Sequence, residues 1–330
     1  MMLNKNIFSK TPDVSPIRKG FGEGLALAGK EDTRVVGLCA DLTESTHMSL
    51  FKEQFPKRFI EVGVAEQNLA TVASGLAAMG KIPFITSYAM FSPGRNWEQI
   101  RTTIAYNDRP VKIAGSHAGI SVGPDGGTHQ AIEDIALMRV MPNMTVVSPC
   151  DAIEARKATL ALAKTDKPAY IRLSREKTPI ITLEDTPFEI GKGSVIYEND
   201  ASKKGHKDVA IIATGPILFQ ALKAAYSLDQ DRVGVVVVNI HTIKPIDQKL
   251  VVKVAQEYKS VVTVEEHQVS GGLGSAVCEV LAEHEPVPVE LVGIRDLFGQ
   301  SGTPDELIKH YGLDAESIIE AGRRAIHRKK

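Results

Sequence analysis

The feature that most constrains this chain is an alternation between short runs rich in valine and isoleucine and longer stretches with helical periodicity. The short runs are RVVGLCAD, VKIAGSH, NMTVVSP, DVAIIATG, RVGVVVVN and KSVVTVEEH. Runs that are apolar along most of their length are typical of parallel strands covered on both faces, with the intervening helices as crossovers. The sequence therefore predicts an α/β fold built on parallel sheets.

A polar segment divides this pattern into two parts. Between about Pro179 and Asp208 the chain turns polar and rich in glycine and lysine, and the alternation restarts with DVAIIATG. Segments of this composition commonly join domains. A chain of 330 residues with 43% hydrophobic content is long enough for two cores. We predict two doubly wound domains, residues 1–185 and residues 186–330.

The composition argues against two classes of binding partner, nucleic acids and membranes. The formal net charge of -1 gives no basic field that would gather nucleic acid or an anionic membrane. No apolar run approaches the roughly 18 to 20 residues that span a bilayer, and the start MMLNKNIFSK lacks the apolar core of a secretory signal. We therefore expect a cytoplasmic protein. Cys39, Cys150 and Cys278 lie far apart and are expected to be reduced, and the nine histidines show no metal-binding spacing.

Glu66 opens a predicted helix in FIEVGVAEQNLATVASGLAAMG. Apolar residues at helical spacing give this helix one buried face, and Gly80 should end it. A carboxylate in the first turn has a structural explanation, because the helix dipole favours it there. Only its combination with other segments makes it a candidate functional residue.

Two later segments complete that combination. FITSYAMFSPGRNWEQIR gathers Tyr88, Phe91 and Trp97 around a Pro-Gly break, which predicts a loop with exposed rings that could stack on a flat heterocycle. GSHAGISVGPDGGTHQAIED places His117 and His129 around glycines and an aspartate. It is either an ordinary glycine-rich surface loop or a site where backbone approaches a ligand beside proton carriers.

In their order along the chain, GVAEQN, AMFSPGRNWEQIR, GSHAGISVGPDGGTHQAIEDIALMR and PAYIRLSRE resemble the pyrimidine-binding domain of the transketolase family. TGP, HTIKPID and VVTVEEHQVSGGLGSA resemble that family's C-terminal domain. The resemblance spans nearly the whole chain. It implies an enzyme that depends on thiamine diphosphate and moves a two-carbon ketol unit from a ketose phosphate to an aldose phosphate.

The resemblance also implies roles for individual residues. Glu66 matches the glutamate that hydrogen-bonds N1' of the cofactor's aminopyrimidine and promotes the tautomer that activates C2. Phe91, or Tyr88 in its place, matches the ring that stacks on the aminopyrimidine, and Asp41 matches an aspartate near the thiazolium. The residues that match positions contacting the substrate's phosphate or hydroxyl groups are Arg18, Ser45, His117, Asp125, His129 and Arg175. His129 would also move protons on and off the carbonyl oxygen, which makes it the second catalytic candidate after Glu66.

A further implication concerns the partner. Full-length family members begin with another α/β domain, whose GDG motif and downstream asparagine bind the diphosphate through a divalent cation, and this sequence contains no GDG. The resemblance therefore implies a separate N-terminal subunit that carries the diphosphate and Mg²⁺, in an α2β2 assembly around a two-fold axis. Three alternatives are a deoxyxylulose-phosphate synthase, the β subunit of a 2-oxo acid dehydrogenase, and a non-catalytic paralogue.

Overall fold

A computed structural model describes residues 3–329 and contains fourteen strands and twelve α-helices within that range. The strands are β1 Val14–Pro16, β2 Val35–Cys39, β3 Phe59–Glu61, β4 Ile82–Tyr88, β5 Lys112–Ser116, β6 Thr145–Val147, β7 Ala169–Arg172, β8 Lys177–Pro179, β9 Ser194–Glu198, β10 Val209–Ala213, β11 Val235–Asn239, β12 Thr242–Lys244, β13 Val261–Gln268 and β14 Val289–Ile294. The α-helices are α1 Ile17–Glu31, α2 Ser49–Gln54, α3 Glu66–Ala78, α4 Trp97–Gln99, α5 Asp134–Arg139, α6 Ala152–Ala163, α7 Asp200–Lys203, α8 Leu218–Gln230, α9 Gln248–Tyr258, α10 Leu273–His284, α11 Pro304–His310 and α12 Ala315–His327.

The larger of two main sheets has seven strands in the order β12-β6-β7-β5-β4-β2-β3. All neighbours in it are parallel except β12, which pairs antiparallel with β6 at the edge. Parallel strands need crossovers, and the helices between them pack on the faces of the sheet. Consequently the carboxyl ends of β2, β4 and β5 lie side by side at one edge, where ligands bind in folds of this type.

The second sheet has five strands in the order β14-β13-β10-β11-β9. Its strands are parallel except β9, which pairs antiparallel with β11. Strands β1 and β8 form a separate antiparallel ribbon. The prediction of an α/β architecture with two doubly wound units is confirmed.

Strand prediction succeeded where the chain is uniformly apolar and failed elsewhere. All six predicted runs form strands, whereas the start of FITSYAMFSPGRNWEQIR, which we interpreted as loop, belongs to β4. This interpretation was wrong because Pro83, Thr86 and Ser87 obscure an apolar run. The strand is nevertheless buried along nearly its whole length, since β2 and β5 flank it on both sides.

Helix α3 forms close to where it was predicted. It runs from Glu66 to Ala78, and Gly80 follows it with a φ of 80°. Leu69 and Ala73 are fully buried. Its buried face packs against the apolar cluster beneath the first sheet.

One hydrophobic cluster joins the two halves of the chain. Leu38 and Ile113 from the first sheet belong to the same buried cluster as Ile212 and Val238 from the second. The crossing of β12 into the first sheet adds hydrogen bonds to this contact. The two sheets therefore pack as one body, and a division of the chain at residue 185 stays a prediction.

The described residues bear on three expectations about the whole chain. Cys39, Cys150 and Cys278 are free thiols. Between residues 3 and 329, no helix has the length and apolar character needed to cross a bilayer. Over the same span, no three His, Cys, Asp or Glu side chains are grouped so that they could hold a metal ion.

Candidate active site

The candidate site lies at the carboxyl edge of the first sheet. Asp41 follows β2, Tyr88 ends β4 and His117 follows β5, while Glu66 begins α3 a few residues after β3. Asp41 and His117 both have positive φ angles, 58° and 54°. Non-glycine residues seldom adopt this conformation, and it is concentrated at functional turns.

Glu66 is held from two sides. Its side chain is only 2% exposed, and the hydroxyl of the fully buried Ser87 lies 3.3 Å from Oε1. The Arg95 guanidinium donates to Oε2 at 2.6 Å. The amide of buried Asn96 donates to the Glu66 backbone oxygen at 2.8 Å. A carboxylate in this position is therefore both desolvated and paired with a cation.

Four rings form a group beside Arg95, the partner of Glu66. The Tyr88 and His117 rings are stacked with centres 3.8 Å apart, and the His129 ring stands edge-on to Phe91 at 5.5 Å. The Arg95 guanidinium lies over the Phe91 ring, with Cζ 4.8 Å from the ring centre. The planar Arg95 guanidinium thus stacks on the Phe91 ring while it contacts the Glu66 carboxylate.

The rings are less exposed than we expected from sequence. Tyr88 and Phe91 are partly buried, and Trp97 is anchored by a hydrogen bond from its indole nitrogen to the Leu137 carbonyl at 3.0 Å. Trp97 also packs against the main hydrophobic cluster. The expectation of an exposed ring was therefore wrong for Trp97, because the chain turns back into a helix at that residue.

The glycine-rich segment has the unusual backbone that its composition predicted. Gly119, Gly123 and Gly126 have φ angles of 91°, 81° and 75°. The second half of the chain fixes this turn, since the Glu266 carboxylate accepts a hydrogen bond from the Ser121 amide at 2.6 Å. A Cβ on Gly119 would lie 2.4 Å from that carboxylate. The segment is therefore a turn of defined conformation that positions His117 and His129.

His117 is neutral at physiological pH. Burial, together with the nearby positive charges of Arg18 and Arg175, lowers its pKa to about 3. Its Nδ1 lies 2.9 Å from the Ser116 hydroxyl. A neutral imidazole with one nitrogen engaged offers the other as a single donor or acceptor to a ligand.

Arg18 and Arg175 form a basic group beside the rings. Arg18 donates to the backbone oxygens of Ser45 and, at 2.7 Å, of Arg175. Arg175 donates to the Val122 carbonyl at 2.5 Å, and its Nη1 lies 3.6 Å from an Asp125 oxygen. Burial lowers the pKa of Arg18 from its ordinary value. Two guanidinium groups held this close favour binding of an anion, because an anion relieves their mutual repulsion.

The structure brings most of the sequence-predicted residues together. Glu66, Phe91, Tyr88, His117 and His129 form one group, and Arg18, Ser45, Arg175 and Asp125 form an adjoining one. Asp41 stands apart: its backbone amide donates to Glu61 at 2.8 Å. The roles assigned to these residues stay predictions.

Sequence reasoning missed three residues that support the site. Ser87 and Arg95 both contact the Glu66 carboxylate. Glu61 accepts hydrogen bonds from the Asp41 and Gly63 amides at 2.8 and 3.0 Å, so it joins the two turns that flank Glu66. A short-range signal existed only for Glu61, which lies at the end of a strand just before the GVAEQN segment.

Two family models cover most of the chain. Residues 15–180 match the transketolase pyrimidine binding domain, and residues 200–318 match the transketolase C-terminal domain. The chain belongs to the transketolase family. Its two halves therefore correspond to two domains of that family, in the order in which the sequence segments suggested them.

Several transketolase subunits are similar to this chain along nearly their whole length. A putative transketolase C-terminal section of Methanocaldococcus jannaschii is 45% identical over 92% of this chain and 94% of its own length. A 6-deoxy-6-sulfo-D-fructose transketolase subunit of a Clostridium species is 42% identical over 91% of both chains. A solved structure described as a split gene transketolase, inactive beta4 tetramer, has a TM-score of 0.88 and 45% identity. That match covers 96% of this chain and 99% of the solved one.

Proposed function

We propose that this chain is the C-terminal subunit of a split transketolase that transfers a two-carbon ketol unit from a ketose phosphate to an aldose phosphate. Xylulose 5-phosphate and ribose 5-phosphate, the pair used in the pentose phosphate pathway, are the substrates to test first. The observation that carries the proposal is the juxtaposition of buried Glu66, the Phe91 ring and the Arg18–Arg175 pair around one glycine turn. A carboxylate that could handle a proton, a ring that could stack on the cofactor and two guanidinium groups that could bind an anion lie close together, which supports the proposal.

The residues present fit the aminopyrimidine of thiamine diphosphate. A planar hydrogen-bonding group, the Arg95 guanidinium, already lies over Phe91 and bonds Glu66, so a flat ring with a polar edge could make the same two contacts. Glu66 would bond the ring nitrogen, Phe91 or Tyr88 would stack on its face, and Asp41 would lie towards the thiazolium. When bound, the cofactor supplies the nucleophilic carbon and the electron sink for carbon–carbon cleavage.

The protein side chains then have distinct tasks. Glu66 holds a proton at the aminopyrimidine nitrogen, and its burial keeps water from competing for that contact. His129, which is partly exposed, can give or take a proton at the sugar's carbonyl oxygen. Neutral His117 adds a hydrogen bond. Asp125 faces the sugar hydroxyls, while Arg18, Arg175 and Ser45 bind the phosphate at the far end.

The proposed assembly is an α2β2 heterotetramer in the cytoplasm. A separate N-terminal subunit would contribute the diphosphate and Mg²⁺ site. Support comes from the 94% coverage of a relative described as a C-terminal section, and from a solved relative described as an inactive tetramer of β subunits. Activity should therefore require both subunits, since the ligands of the diphosphate would be on the other chain.

A sulfonated donor is a second candidate. One relative is described as acting on 6-deoxy-6-sulfo-D-fructose, and a sulfonate presents oxygens that Arg18 and Arg175 could bind as they would a phosphate. Side-by-side rates with sugar-phosphate and sulfo-sugar donors separate the two candidates. A higher kcat/KM for the sulfo-sugar would replace the phosphate assignment.

Two substitutions test the proposed roles in the assembled enzyme. Glu66→Gln keeps the shape but removes the titratable group, so ketol transfer should fall by about 100-fold or more. Arg175→Ala should reduce kcat/KM for a phosphorylated donor far more than for an unphosphorylated ketol donor. Arg34→Gln is the matched control, because Arg34 pairs with Asp32 in solvent at the opposite edge of the sheet. Near-normal turnover in Glu66→Gln would remove Glu66 from the mechanism.

A further inference from the structure

Arg95 occupies two contacts at once, and both are needed by the proposed cofactor. Its Nη1 lies 2.6 Å from Glu66 Oε2, and its Cζ lies 4.8 Å from the centre of the Phe91 ring. The side chain of Arg95 is 48% exposed, whereas that of Glu66 is 2% exposed. The guanidinium therefore covers a buried carboxylate from the solvent side.

These contacts match those of an aminopyrimidine in kind. A guanidinium is planar, donates N–H groups and lies flat on aromatic rings. An aminopyrimidine bound to Glu66 and stacked on Phe91 would use the same carboxylate oxygen and the same ring. The two groups exclude each other at that position.

The Ser87 side of the Glu66 carboxylate cannot move aside for a ligand. Oε1 faces the Ser87 hydroxyl at 3.3 Å, and Ser87 is fully buried in strand β4. Moving Ser87 would require a rearrangement of the sheet, whereas Arg95 can leave by rotating towards solvent. Arg95 is thus the displaceable member of the pair that holds Glu66.

The backbone around Arg95 is fixed, so only its side chain needs to move. The next residue, Asn96, is fully buried and donates to the Glu66 backbone oxygen at 2.8 Å. Trp97 is tied to the Leu137 carbonyl. Within residues 3–329, Glu66 is the hydrogen-bond partner of the Arg95 guanidinium. Rotation of one side chain would release both the carboxylate and the ring.

We propose that Arg95 is a placeholder for the cofactor's aminopyrimidine. It neutralises buried Glu66 and covers Phe91 while the cofactor is absent, and the aminopyrimidine displaces it from both. This inference rests on the proposed function. An unpaired carboxylate in this position would destabilise the free subunit, so the placeholder stabilises that subunit. It also weakens cofactor affinity, because the apparent affinity is scaled by the fraction of molecules in which Arg95 is not paired with Glu66.

The test compares Arg95→Met with wild type in the complex with the N-terminal subunit. Thiamine diphosphate binding is measured by titration calorimetry with Mg²⁺, and thermal midpoints are recorded with and without cofactor. We expect Arg95→Met to bind the cofactor about 3- to 30-fold more tightly, a range set by the combined modest strength of a half-exposed ion pair and a cation–π contact. The cofactor-free variant should melt below wild type, and the cofactor-bound variant should melt with it.

Two further variants sharpen the result. Arg95→Lys keeps the charge without the planar group and should give an intermediate affinity. Arg34→Gln removes an arginine from an exposed pair with Asp32 and should leave the affinity and the cofactor-induced midpoint shift unchanged.

Several outcomes would overturn the proposal. A purely structural Arg95 would lower both melting midpoints equally and leave the dissociation constant unchanged. Weaker binding in Arg95→Met would mean that Arg95 contacts the cofactor instead of yielding to it. A wild-type complex that fails to bind thiamine diphosphate would refute the proposed function itself, whereas normal wild-type binding with an unchanged variant refutes only the placeholder.

Discussion

Removing one partner of the buried pair Arg172–Asp134 should greatly lower the free energy of unfolding. The side chains are 4% and 1% exposed, and Arg172 Nε donates to Asp134 Oδ2 at 2.8 Å. The Tyr170 hydroxyl donates to the same oxygen at 2.6 Å. Arg172 also donates to the backbone oxygens of Ala131 at 3.2 Å and Glu266 at 2.9 Å. One guanidinium thus links the end of the glycine turn to the second half of the chain.

Arg172→Met removes the cation and leaves Asp134 charged in the interior. Breaking one side of a buried pair costs about 3 to 5 kcal/mol. The Tyr170 hydroxyl would still donate to the aspartate, but the backbone oxygens of Ala131 and Glu266 would each lose the donor that Arg172 supplies, and the Gly119 amide would remain on Ala131. We therefore expect the free energy of unfolding to fall by about 3 kcal/mol or more. Asp134→Asn, which leaves the arginine without its carboxylate, should cause a similar loss.

The double variant decides whether charge pairing is responsible. In urea denaturation followed by circular dichroism, Arg172→Met with Asp134→Asn should lose at least about 2 kcal/mol less than the sum of the single losses. Strict additivity would show that packing, rather than the ion pair, accounts for the single losses. A loss below about 1 kcal/mol for Arg172→Met would refute the account of a buried, compensated charge.

Two other predictions concern stability. Burial lowers the pKa of His241 to about 4. Because the unfolded chain takes up this proton near pH 6.5, stability from neutral His241 is present above that pH and lost as the pH falls towards 4. The stability advantage of wild type over His241→Gln should shrink by up to about 3 kcal/mol between pH 7 and pH 4 in urea titrations; a difference independent of pH would contradict this. The Asp151 carboxylate accepts from the Glu154, Ile181 and Thr182 amides at 2.8, 2.8 and 2.6 Å, so Asp151→Ala should lower the free energy of unfolding by about 3 kcal/mol. Asp151→Asn keeps part of this acceptor set and should lose less, and equal losses would show that the carboxylate contacts are not responsible.

The fold was predictable where local sequence and burial agree. Val235–Asn239 is apolar throughout and lies inside its sheet, so its pattern alone indicates a buried parallel strand. Thr242–Lys244 is too short and mixed to indicate a strand, and its place at the edge of the other half's sheet depends on tertiary packing. The missed strand β4 has the same cause, since its burial is imposed by its neighbours.

The candidate site was predictable to the extent that chemistry is concentrated in short segments. His117, Asp125 and His129 share one glycine-rich turn, and Glu66 begins a well-patterned helix. The partner of Glu66 was missed because Arg95 lies 29 residues away along the chain. Such a contact follows from the side-by-side placement of β2, β4 and β5, which no local pattern encodes.

The most direct test of the central claim is ketol transfer from xylulose 5-phosphate to ribose 5-phosphate with thiamine diphosphate and Mg²⁺. The purified chain alone is compared with its complex with the N-terminal subunit. We predict transfer only in the complex, and only with the cofactor present. A complex that binds thiamine diphosphate, fails to move a ketol unit between any sugars, and instead turns over a 2-oxo acid would contradict the assignment.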